Sequence, residues 1–414
     1  MADVQFQSGF IPSRHGAHRA EARKLLGTFR LFVPNSEPTP ERWQAMGEHL
    51  MRGDEPMDRL VEWMFEVGMA KTRPLYEQAV ERGIDAVSEA PEPLRRFFAL
   101  VENRPPWVDA EQLRFGARVY QRGGVELIYV ARDVAFMGGY QASAFNQTLL
   151  LTGAMKKGPS RRFAETLQWA LDCTQDGGMA PFGPGYQSTL RVRLIHGIVR
   201  RHVQKMPQWR MEEWGLPINQ TDMIATLLGV VTVPILGVQV LGMPMTTRER
   251  DAATHHGRYV GWLMGIEEQW LPRDNREALA LLYHLLLCIT NPDETSVQLA
   301  QPMMDEPFHR PYPQGTTWRA RYARAMHLSV TRAFLGRKGM RNLGLPENTL
   351  PWYPVVNFPF FLGRQIISRL VPKGLEWQAR AGRRAQDEFL RLLTGALPAH
   401  VGQAAAHIAQ HDTV

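Results

Sequence analysis

Two stretches of this chain gather the residue types that do chemistry. The first runs from Ser160 to Cys173 and contains Arg162, Glu165, Thr166 and Trp169. At about 100° per residue, these four and Cys173 fall on one stripe of a helix. A stripe that mixes a cation, an acid and a hydroxyl with Trp169 is unusual for a plain core face. Spacing alone also describes a solvated Arg162–Glu165 pair beside a half-buried Trp169. The second stretch, Ser188 to Val203, carries His196. On its wheel Val192, Val199 and Val203 lie within about 60° on one side of His196, and Arg193 and Arg200 within about 60° on the other. An axial haem ligand needs that seam: an apolar bed for the porphyrin and arginines for its propionates. Gly197 beside it would let a flat ring approach the backbone. The rival reading is a core histidine satisfied by one hydrogen bond.

The elements that must position these residues read as helices almost throughout, because apolar residues recur three and four apart. Asn103 to Pro106 breaks one helical stretch, and Asp109 is placed to cap the next. Ser160 is a candidate cap for the Arg162 helix. Thr174 to Tyr186, rich in Gly and Pro, reads as a loop. Pro302 to Gly315 and Lys338 to Pro359 read as irregular, and the tail after Pro398 as frayed. Met223 to Thr247 lacks any charged residue. Its length could span a bilayer, but Pro234 and three glycines favour two short buried helices broken near Pro234. A membrane-touching hairpin is the alternative. The expected organisation is all-α, one large helical domain. Residues 1–103 are read as an N-terminal helical extension, 104–300 as the core and 301–414 as a C-terminal extension.

Composition narrows the chemistry further. The 414 residues include 44% apolar and 21% charged side chains, with a net charge of +7. That profile excludes wholesale disorder and a multi-span membrane protein. The arginines are dispersed and no nucleic-acid motif appears, so no nucleic-acid partner is expected. Two cysteines against thirteen histidines exclude a disulfide scaffold and a Cys-based zinc module. No C-x-x-C-H occurs, so any haem is held without covalent bonds. H-E-x-x-H, G-x-S-x-G and the phosphate loop are also absent. A single Glu-x-x-His pair, Glu306 and His309, falls short of the two that a di-iron bundle needs. His15 and His18, near one end, and His400, His407 and His411, near the other, read as solvent-facing. Met1 to Gly27 has no apolar signal core, so a cytoplasmic location is expected.

With these residues in view, the chain resembles the catalytic domain shared by latex clearing proteins (rubber oxygenases) and the MpaB-type oxygenases. The matching pieces are Arg104-Pro105-Pro106-Trp107-Val108-Asp109, Leu151-Thr152-Gly153, Arg162-x-x-x-Thr166 and Arg191-Val192-Arg193-Leu194-Ile195-His196-x-x-Val199-Arg200. Tyr259 to Ile266, followed by Leu271-Pro272, adds a later signature. The resemblance implies a globin-like helical core holding b-type haem, with O2 as co-substrate. His196 would be the proximal iron ligand, and Arg162 and Thr166 the distal-side pair. Arg193 and Arg200 as propionate partners follow from the wheel alone. Rubber-cleaving members can carry a lysine where Glu165 stands, and an acid on the preceding helix, where Gln141 to Thr148 has none. Glu165 is therefore a candidate base. The expected activity is a haem-dependent oxygenase that opens carbon–carbon double bonds of an isoprenoid or other unsaturated hydrocarbon. A non-catalytic haem sensor or carrier, and a haem-free membrane-associated binding protein, are the alternatives.

Overall fold

In the computed structural model, which describes residues 9–33, 37–153 and 158–395, helices carry the architecture. Among the described residues no strand forms, and the one β-type pairing is an isolated bridge between Ala142 and Asn291. The fold is all-α, as the periodicity predicts. The tail after Pro398 lies outside the described residues.

Local chemistry sets the helix boundaries. Asp109 caps Ala110–Arg122 as expected, accepting from the Glu111 and Gln112 amides at 2.7 and 3.0 Å. Thr246 and Glu249 form a capping box at the start of Thr247–Leu263. Ser160 does not cap. The helix Pro159–Thr174 starts behind Gly158, and the Ser160 hydroxyl lies 3.3 Å from Glu306 Oε1.

Prolines break fewer helices than expected. Gln220–Val240 is one continuous helix through Pro234, not two short ones. Glu294–Asp305 contains Pro302 and Trp352–Leu370 contains Pro359, so helix replaces much of both segments read as irregular. A helical proline frees the carbonyl four residues before it. Here those carbonyls belong to exposed Gln298 and Val355, and to Val230 on a cavity wall. None is trapped in packed core, which keeps the cost low. In Thr316–Asn342 the kink falls instead at Gly336, whose positive φ of 67° suits a residue without Cβ.

The Gln220–Val240 helix runs through the middle of the molecule. It packs against the helices Gly124–Val130, Thr247–Leu263 and Asn275–Ile289. Met223, Ile224, Leu227 and Leu228 join the largest apolar core. A smaller core around its C-terminal end, with Val238, Met243, Val330 and Phe361, joins it to Thr316–Asn342 and Trp352–Leu370. By length and composition it is apolar enough to cross a bilayer, yet 56% of its most apolar window is buried inside this fold. Side chains from all three expected segments, from Leu25 to Gly336, meet around one cavity beside it.

Candidate active site

The helix Pro184–Val203 carries His196 and packs on Pro159–Thr174, which carries Arg162. Gly185 permits that contact, since a Cβ there would sit 2.5 Å from Cys173 Cα. Thr189 fastens the pair: its Oγ1 accepts from Trp169 Nε1 at 3.0 Å and lies 3.5 Å from Cys173 Sγ. The Cys173 thiol is buried, which pushes its pKa up to about 12. It is therefore not a nucleophile at neutral pH.

Between these helices and Gln220–Val240 lies a cavity of about 660 Å³, within the roughly 300–1,000 Å³ range of small-molecule and cofactor sites. Arg162, Glu165, Thr166, Trp169 and His196 all line it, so the Arg162 stripe is a cavity wall. Val192, Ile195 and Val199 supply the apolar surface flanking His196. Val203 is buried in the core instead.

His196 makes no hydrogen bond to any described residue, and its Nδ1 is buried without a partner. Desolvation first, then the charges of Arg200 and Arg162, lower its pKa to about 4. At neutral pH it is an uncharged imidazole, the form that ligates a metal. An orphaned, neutral imidazole in an apolar cavity fits the role of haem ligand. It is the opposite of the rival reading, a core histidine satisfied by one hydrogen bond.

Arg162 faces the same space. Burial lowers its pKa, while Tyr140 and Glu165 act in the other direction. Thr166 Oγ1 donates to the Arg162 carbonyl at 3.3 Å. Glu165 lies 4.0 Å from Arg161, its i−4 neighbour. The other acid on the wall, Asp222, is held by both Arg14 Nη atoms at 2.6 and 3.1 Å and by Asn219 Nδ2 at 2.8 Å.

Arg193 and Arg200 do not line the cavity. Arg193 grips buried Asp54 through Nε and Nη2 at 2.6 and 2.8 Å and gives a third bond to the Leu263 carbonyl. Arg200 binds Asp58 at 2.9 Å and the Ile218 carbonyl at 2.5 Å. Both point toward Glu55–Val67 and its cap, so the expectation of propionate partners does not hold. Gly197 is also turned away: a Cβ there would meet Met57 Cγ and Val61 Cγ2 at 2.9 Å. It serves helix packing, not the approach of a ring.

Several wall residues had no signal in the periodicity. Tyr140, Gln141 and Thr148 come from the segment that follows a π-helical turn, Ala131–Phe136. A π-turn adds a residue to the helical repeat and shifts the side chains that follow in the same helix, up to Tyr140, off a 3.6-residue wheel. Thr148 lies on the separate helix Ser143–Leu151. Behind it lies a buried ionic network. His327 Nδ1 lies 2.7 Å from Asp133 Oδ2, and Glu306 binds Arg132 and Arg310 at 3.0 and 2.7 Å. Glu306 is thus occupied by arginines while His309 is exposed, so the two do not act as a metal pair. His15 is not solvent-facing. Its Nδ1 lies 3.1 Å from Cys288 Sγ and its ring packs 4.4 Å from Trp43. His18 is exposed, and His400, His407 and His411 lie outside the described residues.

The family model "ER-bound oxygenase mpaB/B'/Rubber oxygenase, catalytic domain" matches residues 128–369, which contain Arg162, Glu165, Thr166 and His196. The chain belongs to this family. The rubber oxygenase of Streptomyces sp. (strain K30) is 23% identical over 186 residues. That match spans 44% of this chain and 45% of the relative, less than half of its length. The solved structure of latex clearing protein in the closed state shares the fold, with a TM-score of 0.61 at 16% identity. The superposition covers 83% of this chain and 91% of that one. This chain and that structure thus share one fold.

Proposed function

We propose that this chain is a haem-b-dependent oxygenase that uses O2 to cleave or oxidise carbon–carbon double bonds of an isoprenoid or other unsaturated hydrocarbon. The observation that carries the reading is His196: a neutral imidazole with no hydrogen-bond partner among the described residues, set in an apolar cavity beside the half-buried Arg162.

His196 would hold the haem iron, and Val192, Ile195 and Val199 would bed the macrocycle. When bound, the haem supplies the activation of O2, which the side chains here cannot provide. Arg162 places a fixed positive charge in a water-poor space, where it stabilises negative charge that develops during reaction. Thr166, tied to the Arg162 carbonyl, sets a hydroxyl beside it. Glu165 is the acid positioned to take or return a proton on this wall, since Asp222 is committed to Arg14. The apolar side of Gln220–Val240, from Met223 to Val240, lines the space a hydrocarbon would occupy. Cleavage of C=C by O2 places one oxygen atom on each new carbonyl, so it balances without an external reductant.

The decisive experiment is the absorption spectrum of the purified protein supplied with haem, with and without dithionite. A Soret band that His196→Ala abolishes supports the reading, and colourless protein rejects it. Oxygen uptake with a panel of isoprenoids then separates an oxygenase from a haem carrier that does not turn over.

A further inference from the structure

The helix Trp352–Leu370 buries one side and leaves the other without a partner. Val355, Val356, Phe360, Ile366, Ile367 and Leu370 are 48–78% exposed along it. Such a continuous run of large apolar side chains is rare on a soluble surface. The helix contains no acidic residue. Its two ends are marked alike. At the start, Trp352 lies 5.8 Å from Tyr322, and Tyr322 and Trp318 are exposed beside the exposed Arg319 and Arg321. Past the end, exposed Lys373 sits one turn before exposed Trp377, while Glu376 is bridged to Arg380 at 3.5 Å.

We propose that this face docks in the plane of an anionic phospholipid surface. Apolar side chains along an in-plane helix enter the acyl boundary, Trp and Tyr settle at headgroup level, and cations at both ends meet lipid phosphates. A second copy of the chain suits the face poorly. Any twofold packing along this helix sets cationic ends against cationic ends. The docking helix is distinct from Gln220–Val240, whose apolar surface is spent on the core and the cavity.

The position of the face gives docking a purpose. Val240 lines the cavity and is 42% exposed, as is Phe32 at 45% on another part of its wall. Two residues on, a Cβ at Gly242 would sit 2.7 Å from the Phe358 carbonyl oxygen. One exposed part of the cavity wall therefore adjoins the docking helix, and a lipid-soluble substrate entering there would pass from the bilayer into the cavity. Docking rests on the surface alone, whereas delivery of substrate rests on the proposed function.

Flotation with phosphatidylcholine vesicles, with and without phosphatidylserine, tests the docking. The wild-type chain should float with the serine-lipid vesicles. Combined Val356→Asp and Ile367→Asp should weaken flotation by about tenfold or more, and Lys373→Glu by less. All three changes are on exposed side chains, so the circular dichroism melt and haem content should stay unchanged. A wild-type chain that stays at the bottom overturns the proposal, as does a double variant that floats equally well. A wild-type dimer that the double variant turns into monomers also overturns it, by assigning the face to a self-contact. Vesicle binding needs neither pigment nor turnover, so its failure and that of the oxygenase reading are told apart.

Discussion

Arg162 and His196 look into one cavity from two adjacent helices, and the charge of Arg162 helps keep His196 unprotonated. The pair thus separates two tasks. One group stays neutral and able to ligate, while the other stays charged and able to stabilise an anion.

Replacing Arg162 tests that division. In Arg162→Met the His196 pKa should rise, because a repelling charge is gone. Haem content should hold while oxygen uptake falls by about 10²–10³-fold, the usual effect of losing a fixed electrostatic donor. Loss of pigment in proportion to activity would instead make Arg162 a cofactor anchor.

Glu165→Gln keeps shape and removes the titrating acid. Turnover should drop by about 10²-fold or more with the Soret band intact. A variant as active as the wild type would remove Glu165 from the mechanism and leave its pairing with Arg161 as its role.

Arg193→Gln leaves buried Asp54 without its cation. Stability should fall by about 3–5 kcal/mol in urea unfolding. Folded protein that survives should bind haem as the wild type does. Normal stability with weakened haem binding would return Arg193 to the propionates.

Acid should destabilise the haem-free protein through its buried histidines. His196 and His256 both have pKa values lowered to about 4, mainly by desolvation, and His327 is lowered well below its usual value. The unfolded chain takes up protons near pH 6.5 that the folded chain refuses. Their contribution is therefore complete above about pH 6.5 and is lost as pH falls toward 4. The slope is about 1.4 kcal/mol per pH unit for each group. Urea unfolding at a series of pH values checks this, and His256→Gln should flatten the curve.

Which parts were legible follows from where each residue finds its partners. Arg162, Thr166, Trp169 and His196 could be assigned to their stripes by helical periodicity, and the family resemblance joined the two stripes. Arg193 and Arg200 sit correctly on the wheel, yet their partners Asp54 and Asp58 lie far back in the chain. The contacts that require Gly197, with Met57 and Val61, also lie far back in the chain. Tyr140 was hidden by a π-turn, and the prolines misled because breaking a helix depends on what surrounds the freed carbonyl.

The cavity draws its wall from residues as far apart in the chain as Leu25 and Gly336. No nascent fragment that stops short of Ala333–Gly336 contains the finished site. A ligand held there binds only the completed fold, so by linkage it raises thermal stability as its concentration rises above its Kd. Loading in this sense follows synthesis through Gly336, and a filled site reports that segments far apart in the chain have found their places.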